Sequence, residues 1–194
     1  MAHPGLQDLY GRSYVDLTYS NGVMASYGTY GDLPGRGWSV RNYIKHAPLQ
    51  PALPEKLRKV WAYYGTFPSG VIAFTPESAT FYHEVPVAPG QTILRSAVYR
   101  RPNETREQRL GRYLAYRIDR DTSVEDQQLS IWSNESMKST SFAGFHLSDL
   151  EYGVRAHHDQ LRAHLPVMTL PVAPPDARIV PLNEEMLRQT PIPA

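Results

Sequence analysis

Histidine and carboxylate side chains carry whatever metal or acid–base chemistry this sequence can do, because its 194 residues include no cysteine. That absence excludes disulfides, zinc–thiolate sites, thiol catalysis and an iron–sulfur cluster held by this chain alone. Seven histidines remain, and most have an ordinary structural reading. His3 precedes Pro4-Gly5 at the start of the sequence, where a domain is normally least constrained. His46 and His164 fall at expected surface positions. His158 lies on an apolar stripe between Val154 and Leu161 and reads as a hydrogen-bonded core residue. His83 lies in an expected strand, and alternation alone leaves open which side it faces. Among the acids, Asp126 stands near the start of an expected helix. There Ser123 with Asp126, or Thr122 with Glu125, would form a capping pair, and an acid in the first turn complements the helix dipole. A glycine-rich phosphate loop, Gly-x-Ser-x-Gly and His-Glu-x-x-His are all absent from the sequence.

The elements that must position these residues change character along the chain. In the first hundred residues the period is two. "RSYVDLTYS" and "GVMASYGTY" flank Asn21-Gly22, a two-residue hairpin signal. "GVIAFT", "ATFYHEVPVA" and "QTILRSAVYRR" continue an antiparallel meander, with turns at Pro76-Glu77-Ser78 and Pro89-Gly90. "GDLPGRGWS" reads as a loop and "LPEKLRKVWAYY" as a short helix. Beyond Pro102 the period approaches 3.6. Asn103 is the expected cap of a helix carrying Leu110, Tyr113, Leu114 and Ile118, and a second helix is expected from Val124 to Lys138. A third starts at "LSDLEYGV", with Ser148 and Glu151 as capping box and Leu147 with Tyr152 as staple. Its stripe of Leu147, Leu150, Val154, Leu161 and Leu165 is spaced to face a core. Strands first and helices after predict an α+β domain, a curved antiparallel sheet packed on C-terminal helices with a ligand-sized cavity between them.

Composition narrows the partners. Hydrophobic residues make up 41% and charged residues 20%, with a formal net charge of +1. A packed core is therefore expected, and neither nucleic acid nor an anionic membrane is. No apolar run approaches the roughly 18 residues of a membrane helix. The first residues lack a signal-peptide pattern, so a cytoplasmic location is the expectation.

The stretch from Val124 to Leu165 resembles the C-terminal end of the catalytic domain of Rieske-type aromatic-ring-hydroxylating oxygenases. The family pattern is an acidic pair, a helix, a serine shortly after a basic residue, then a "hLS-x-x-E" helix start. Here these are Glu125-Asp126, Lys138-Ser139 and Leu147-Ser148-Asp149-Leu150-Glu151. The resemblance implies that Asp126, the second acid of the pair, is an iron ligand. "AHPGL" resembles the end of the family's paired-histidine motif, in which the second histidine is commonly followed by Pro and Gly. It implies that His3 is the second histidine ligand. The first is then expected five residues earlier, before this sequence starts, as are the acid that links iron to cluster and the whole Rieske domain. Residues 1–170 are accordingly expected to form a partial iron- and substrate-binding catalytic domain of helix-grip, START-like type. Residues 171–194 are expected to form a Pro-rich extended tail.

The implied chemistry follows from the ligand set. Two histidines and a carboxylate bind one face of a mononuclear non-haem Fe(II), leaving positions open for dioxygen beside an aromatic or related organic substrate. The remaining electrons come, in the family, from a Rieske [2Fe–2S] cluster held by two cysteines and two histidines. They originate in NAD(P)H and pass through a reductase or ferredoxin, in a homotrimer or α/β oligomer acting in aromatic compound catabolism. With His3 and Asp126 alone, iron is expected to bind weakly and the isolated chain not to turn over. Two other classes stay open: a non-catalytic small-molecule carrier of the same fold (or a remnant), and an iron-free structural subunit of such a system.

Overall fold

Apolar–polar alternation through the first half of the chain builds a meander. In the computed structural model, which describes residues 3–19, 23–149 and 151–189, six strands pair antiparallel in sequence order. They are β1 (Val15–Thr18), β2 (Met24–Thr29), β3 (Val60–Thr66), β4 (Gly70–Phe74), β5 (Ser78–Ala88) and β6 (Gln91–Arg100). The Asn21-Gly22 hairpin signal lies outside the described residues, but the strands beside it pair as it requires, Thr18 opposite Met24. Five helices accompany the sheet: α1 (Pro4–Tyr10), α2 (Trp38–His46), α3 (Arg106–Met137), α4 (Tyr152–His164) and α5 (Asp176–Gln189). The result is the expected α+β architecture, an open curved sheet with helices packed on it. Among the described residues no helix is long and apolar enough to cross a membrane.

Several elements differ from the sequence reading, each for a physical reason. The two helices expected on either side of residue 120 are one 32-residue helix, α3. Its cap is Thr105, not Asn103. Thr105 accepts from the backbone of Gln108 at 3.2 Å while the Gln108 side chain accepts from the Thr105 N–H at 3.0 Å, a complete capping box. Asn103 instead takes a left-handed turn, φ 57°. In "LPEKLRKVWAYY" only Glu55–Leu57 is helical, and from Val60 onward the stretch belongs to β3. There Val60, Trp61 and Tyr63 find strand partners in β2, and Gly28 faces Trp61, so tertiary pairing overrides the helical spacing. The loop at "GDLPGRGWS" runs directly into α2. The Ser148–Glu151 contact exists, with the Ser148 N–H donating to Glu151 Oε2 at 2.6 Å, yet the helix begins only at Tyr152. Leu150 of the expected stripe is outside the described residues, and α4 buries no residue. Beyond residue 170 the chain is not simply extended, because α5 forms despite Pro181. Asn183 anchors it by accepting from the Val167 N–H and donating to the His164 carbonyl. Residues 190–194 lie outside the described set.

The core sits where α1, α2 and α3 meet the β2–β3 side of the sheet. Leu9, Tyr10, Tyr43, Trp61 and Leu114 are its fully buried large residues. Two close approaches shape it. A Cβ on Gly28 would stand 2.7 Å from Tyr10 Cδ1, so the bare strand backbone is the seat of the Tyr10 ring. Gly111 lets α3 come down onto Glu77 and Pro48, where a Cβ would meet Glu77 Cγ at 3.1 Å. At the centre runs a polar chain: Trp61 Nε1 donates to the Tyr43 hydroxyl at 2.8 Å, and that hydroxyl donates to Glu77 Oε2 at 2.9 Å. Glu77 is only 4% exposed. Burial pushes its carboxyl above the usual value, with the Tyr43 bond opposing.

Two predictions follow from this packing. Gly28→Ala forces Tyr10 off the strand and should cost about 1–3 kcal/mol, the range for overpacking a core. Urea denaturation reads it directly, and an unchanged midpoint would mean that Tyr10 is not seated there. For Glu77, the native state holds its proton more tightly than the unfolded chain does. Its contribution is therefore complete at low pH and is lost as pH rises from the ordinary value of 4.5 through the raised native one. Glu77→Gln keeps an acceptor for Tyr43 and should stabilise the protein at neutral pH while flattening that fall. Denaturation midpoints between about pH 4 and 8 check it, and identical slopes in both proteins would refute it.

Candidate metal centre

His3 is held beside α3 by the helix it starts. Pro4 at the first helical position fits a helix N-terminus, and the His3 carbonyl accepts from the Gln7 N–H at 2.9 Å. The imidazole makes no capping bond, so it is free to face outward from α1. Leu6, Leu9 and Tyr10 bury the other face of that helix in the cluster containing Leu114, Ala115 and Ile118 of α3. α1 therefore leans on the middle of α3 with His3 at its leading end.

Asp126 is not in a capping position. The Thr122 hydroxyl donates to the Ile118 carbonyl and the Ser123 hydroxyl to the Asp119 carbonyl, at 3.1 and 2.9 Å. Both are bonds back to the preceding turn inside a continuous helix. This rules out the Ser123–Asp126 and Thr122–Glu125 capping pairs and leaves both acids projecting from mid-helix.

The structure brings together the two residues singled out at opposite ends of the motif pattern. His3 Nε2 lies 3.5 Å from Asp126 Oδ1, and His3 Nδ1 lies 3.6 Å from Glu125 Oε2. The imidazole thus stands between the members of the acidic pair. Its Nδ1 is buried without a hydrogen-bond partner, since 3.6 Å is beyond hydrogen-bond reach. Asp126 is 57% exposed on its open side. Partial burial pushes its carboxyl up, His3 pulls it back down, and Glu125 pushes it up again. Two bonds of about 2.1 Å reach across about 4.2 Å, so this nitrogen and oxygen can share one ion. The donor chemistry, one imidazole and one carboxylate, suits a divalent metal that accepts N and O ligands. Among the described residues, no group of three or more histidine or acidic side chains is placed to hold a metal.

Further down the same helix face, about two turns from Asp126, Asp119 looks into a cavity of about 320 Å³ between β3–β6 and α3. Tyr63, Tyr82 and Tyr116 line it with Asp119, and the Tyr82 hydroxyl donates to Asp119 Oδ2. Burial raises Asp119, with the Tyr82 bond opposing and the charge on Asp126 adding to the rise. Burial and the nearby Asp119 likewise push the Tyr82 phenol up. On the opposite side of α3 an open groove of about 700 Å³ runs past Gly5, Trp38, Arg117 and Glu125.

The other histidines fall away from both places. Thr80 and Tyr82 face the cavity, so His83 points to the outer face, exposed, beside Phe81 at 6.2 Å. His158 is half-buried on α4, not in the core, because α4 buries no side chain. His46 is exposed as expected. His164 is half-buried, its ring 4.7 Å from that of Phe67. Sequence reasoning passed over Asp119, Tyr82 and Glu77. The seven-residue step from Asp119 to Asp126, which puts two acids on one helix face, was the signal available for the first.

The family described as ring hydroxylating alpha subunit (catalytic domain) matches residues 1–166. This chain belongs to that family. No curated protein matches it in sequence. Two solved structures share the fold of this catalytic domain. One is a quaternary ammonium Rieske monooxygenase described in terms of carnitine oxidation by gut microbiota and inter-subunit electron transfer. It is 19% identical with a TM-score of 0.55, over 82% of this chain and 41% of that one. The other is the quaternary ammonium Rieske monooxygenase CntA in complex with the inhibitor MMV12, at 18% identity and a TM-score of 0.53 over the same shares. This chain thus spans about two fifths of the length of either.

Proposed function

We propose that this catalytic domain hydroxylates an aromatic or related organic substrate with dioxygen, using a mononuclear non-haem iron held by His3 and Asp126. The observation that carries the reading is the 3.5 Å approach of His3 Nε2 to Asp126 Oδ1 from elements far apart in sequence. A bound ferrous ion would supply dioxygen binding and reduction. The chain's own residues do the rest. His3 would offer Nε2 to the metal, while Glu125 Oε2, 3.6 Å from Nδ1 and not hydrogen-bonded to it, sets a negative charge on the far side of the ring. Asp126 would contribute the anionic oxygen, about two turns along α3 from the cavity that Asp119 faces. A second histidine, from a segment that is not part of this sequence, would complete the set of three protein ligands.

Electrons would arrive from a Rieske [2Fe–2S] cluster and, through a ferredoxin or reductase, from NAD(P)H. The inter-subunit electron transfer named for the solved relative supports an oligomer in which another subunit delivers them, and a cytoplasmic location suits that electron supply. Because this chain has no cysteine for the cluster, the chain alone, mixed with reductase, NADH and dioxygen, should release no hydroxylated product. Turnover in that mixture would overturn the assignment of roles.

Metal binding tests the site itself. Anaerobic titration with Fe(II), or with Co(II) as a spectroscopic stand-in, should show one weak site. His3→Ala and Asp126→Ala should each weaken it by about tenfold or more, while Glu125→Gln has a smaller effect. Equal binding by all four proteins would remove the iron reading and favour the carrier, a protein that uses the cavity without a metal.

A further inference from the structure

The cavity between the sheet and α3 is unbalanced in charge. Its lining pairs aromatic rings with hydroxyls, Ser78, Thr80 and Ser96 among them, and holds one carboxylate, Asp119. The one lining cation, Arg112, is already engaged: its Nε and Nη2 donate to the two oxygens of Glu104 at 2.9 and 2.6 Å. Among the described residues no lysine, arginine or histidine is ion-paired with Asp119. The Tyr82 hydroxyl reaches only Oδ2. A half-buried carboxylate that faces a cavity without a counter-ion is costly unless something positive occupies that cavity.

We propose that this cavity takes a small organic ammonium ion, an arylalkyl amine in its protonated form, and that Asp119 is the residue that selects it. The ammonium group would donate to the free oxygen of Asp119 and to the hydroxyls beside it. Tyr63, Tyr82 and Tyr116 would receive the hydrocarbon part and attract the cation through their rings. The volume, about 320 Å³, lies at the small end of the roughly 300–1,000 Å³ typical of ligand pockets. A neutral aromatic would leave the acid unpaired, and an anionic one would be repelled by it. As a substrate assignment this rests on the oxygenase reading above, but as a binding preference it does not.

The test uses the whole chain with no metal added and three probes of similar shape: phenethylammonium, 2-phenylethanol and phenylacetate. Calorimetry or NMR titration should show phenethylammonium binding about tenfold or more tighter than 2-phenylethanol, the least that a charge-assisted hydrogen bond gives, and phenylacetate weakest. Asp119→Asn, which keeps size and shape, should bring the ammonium and the alcohol to equal affinity. Tyr82→Phe, which removes only the donor on Asp119, should widen the gap between them, and it decides the matter if Asp119→Asn fails to fold. Equal affinities in the unaltered protein, no binding of any probe, a preference that survives Asp119→Asn, or an unchanged gap in Tyr82→Phe would each overturn the proposal. Since no metal is present, failure here leaves the iron titration standing, and failure there leaves this preference standing.

Discussion

The hydrogen-bonded chain from Trp61 through Tyr43 to Glu77 constrains the rest of the molecule. Each of its three groups is buried, and each would be a liability alone, because an unpaired polar atom in the interior costs more than a hydrogen bond gains. Together they pair in a single order, indole to phenol to carboxylate, and leave Glu77 Oε1 as the one oxygen of the chain without a partner. The chain crosses three elements, β3, α2 and the turn before β5, so α2 can dock on the sheet in only one way. α3 then closes over it, where Gly111 admits the contact with Glu77. Shape packing alone would leave several positions of α2 nearly equal in energy. The polar chain removes that freedom.

With α2 and α3 fixed, α1 has one slot. Leu6, Leu9 and Tyr10 fill the space between Trp61 and the α3 residues Leu114 and Ile118, and the Tyr10 ring lies on the bare backbone at Gly28. The candidate metal pair is a consequence of this docking. His3 sits just ahead of the helix, where the chain is still extended, so its side chain is not bound to follow the helical spacing of α1. It therefore reaches two successive residues of α3 with its two nitrogens, although Glu125 and Asp126 leave the helix in directions about 100° apart.

Much of this was legible in the sequence, and what was not has identifiable causes. The meander was readable because alternation and Pro or Gly turns agree from β4 to β6, and local signals that agree are the most informative. Trp61 was misread because its neighbours Leu57 and Val60 mimic a helical stripe. Only the pairing with β2 decides between the two periods. The break expected inside α3 rested on Thr122 and Ser123, residues that favour caps. Their hydroxyls instead bond to carbonyls one turn back, an option that a sequence does not advertise. His3 and Asp126 were singled out only through the family resemblance of the motifs around them, and in the fold their side chains stand beside each other. Asp119 and Glu77 escaped because the burial of an acid is decided by what packs around it, and both are surrounded by residues distant in sequence.

The two acids on the sheet-facing side of α3 show how far environment decides what one residue type does. Asp119 and Asp126 share a helix, a face and a chemistry, and partial burial pushes both carboxyls up. At Asp126 an imidazole opposes that push and the open side is wet, which suits an anionic metal ligand. At Asp119 the counterweight is a phenol, which stabilises the anion without neutralising it, and the charge of Asp126 adds to the strain. The two positions are therefore not independent. A cation that neutralises Asp126 removes part of what discourages charge on Asp119, so filling one end of the face eases ionisation at the other. One helix with a two-turn repeat of acids thus links the candidate metal pair to the cavity electrostatically, with no movement of the backbone required.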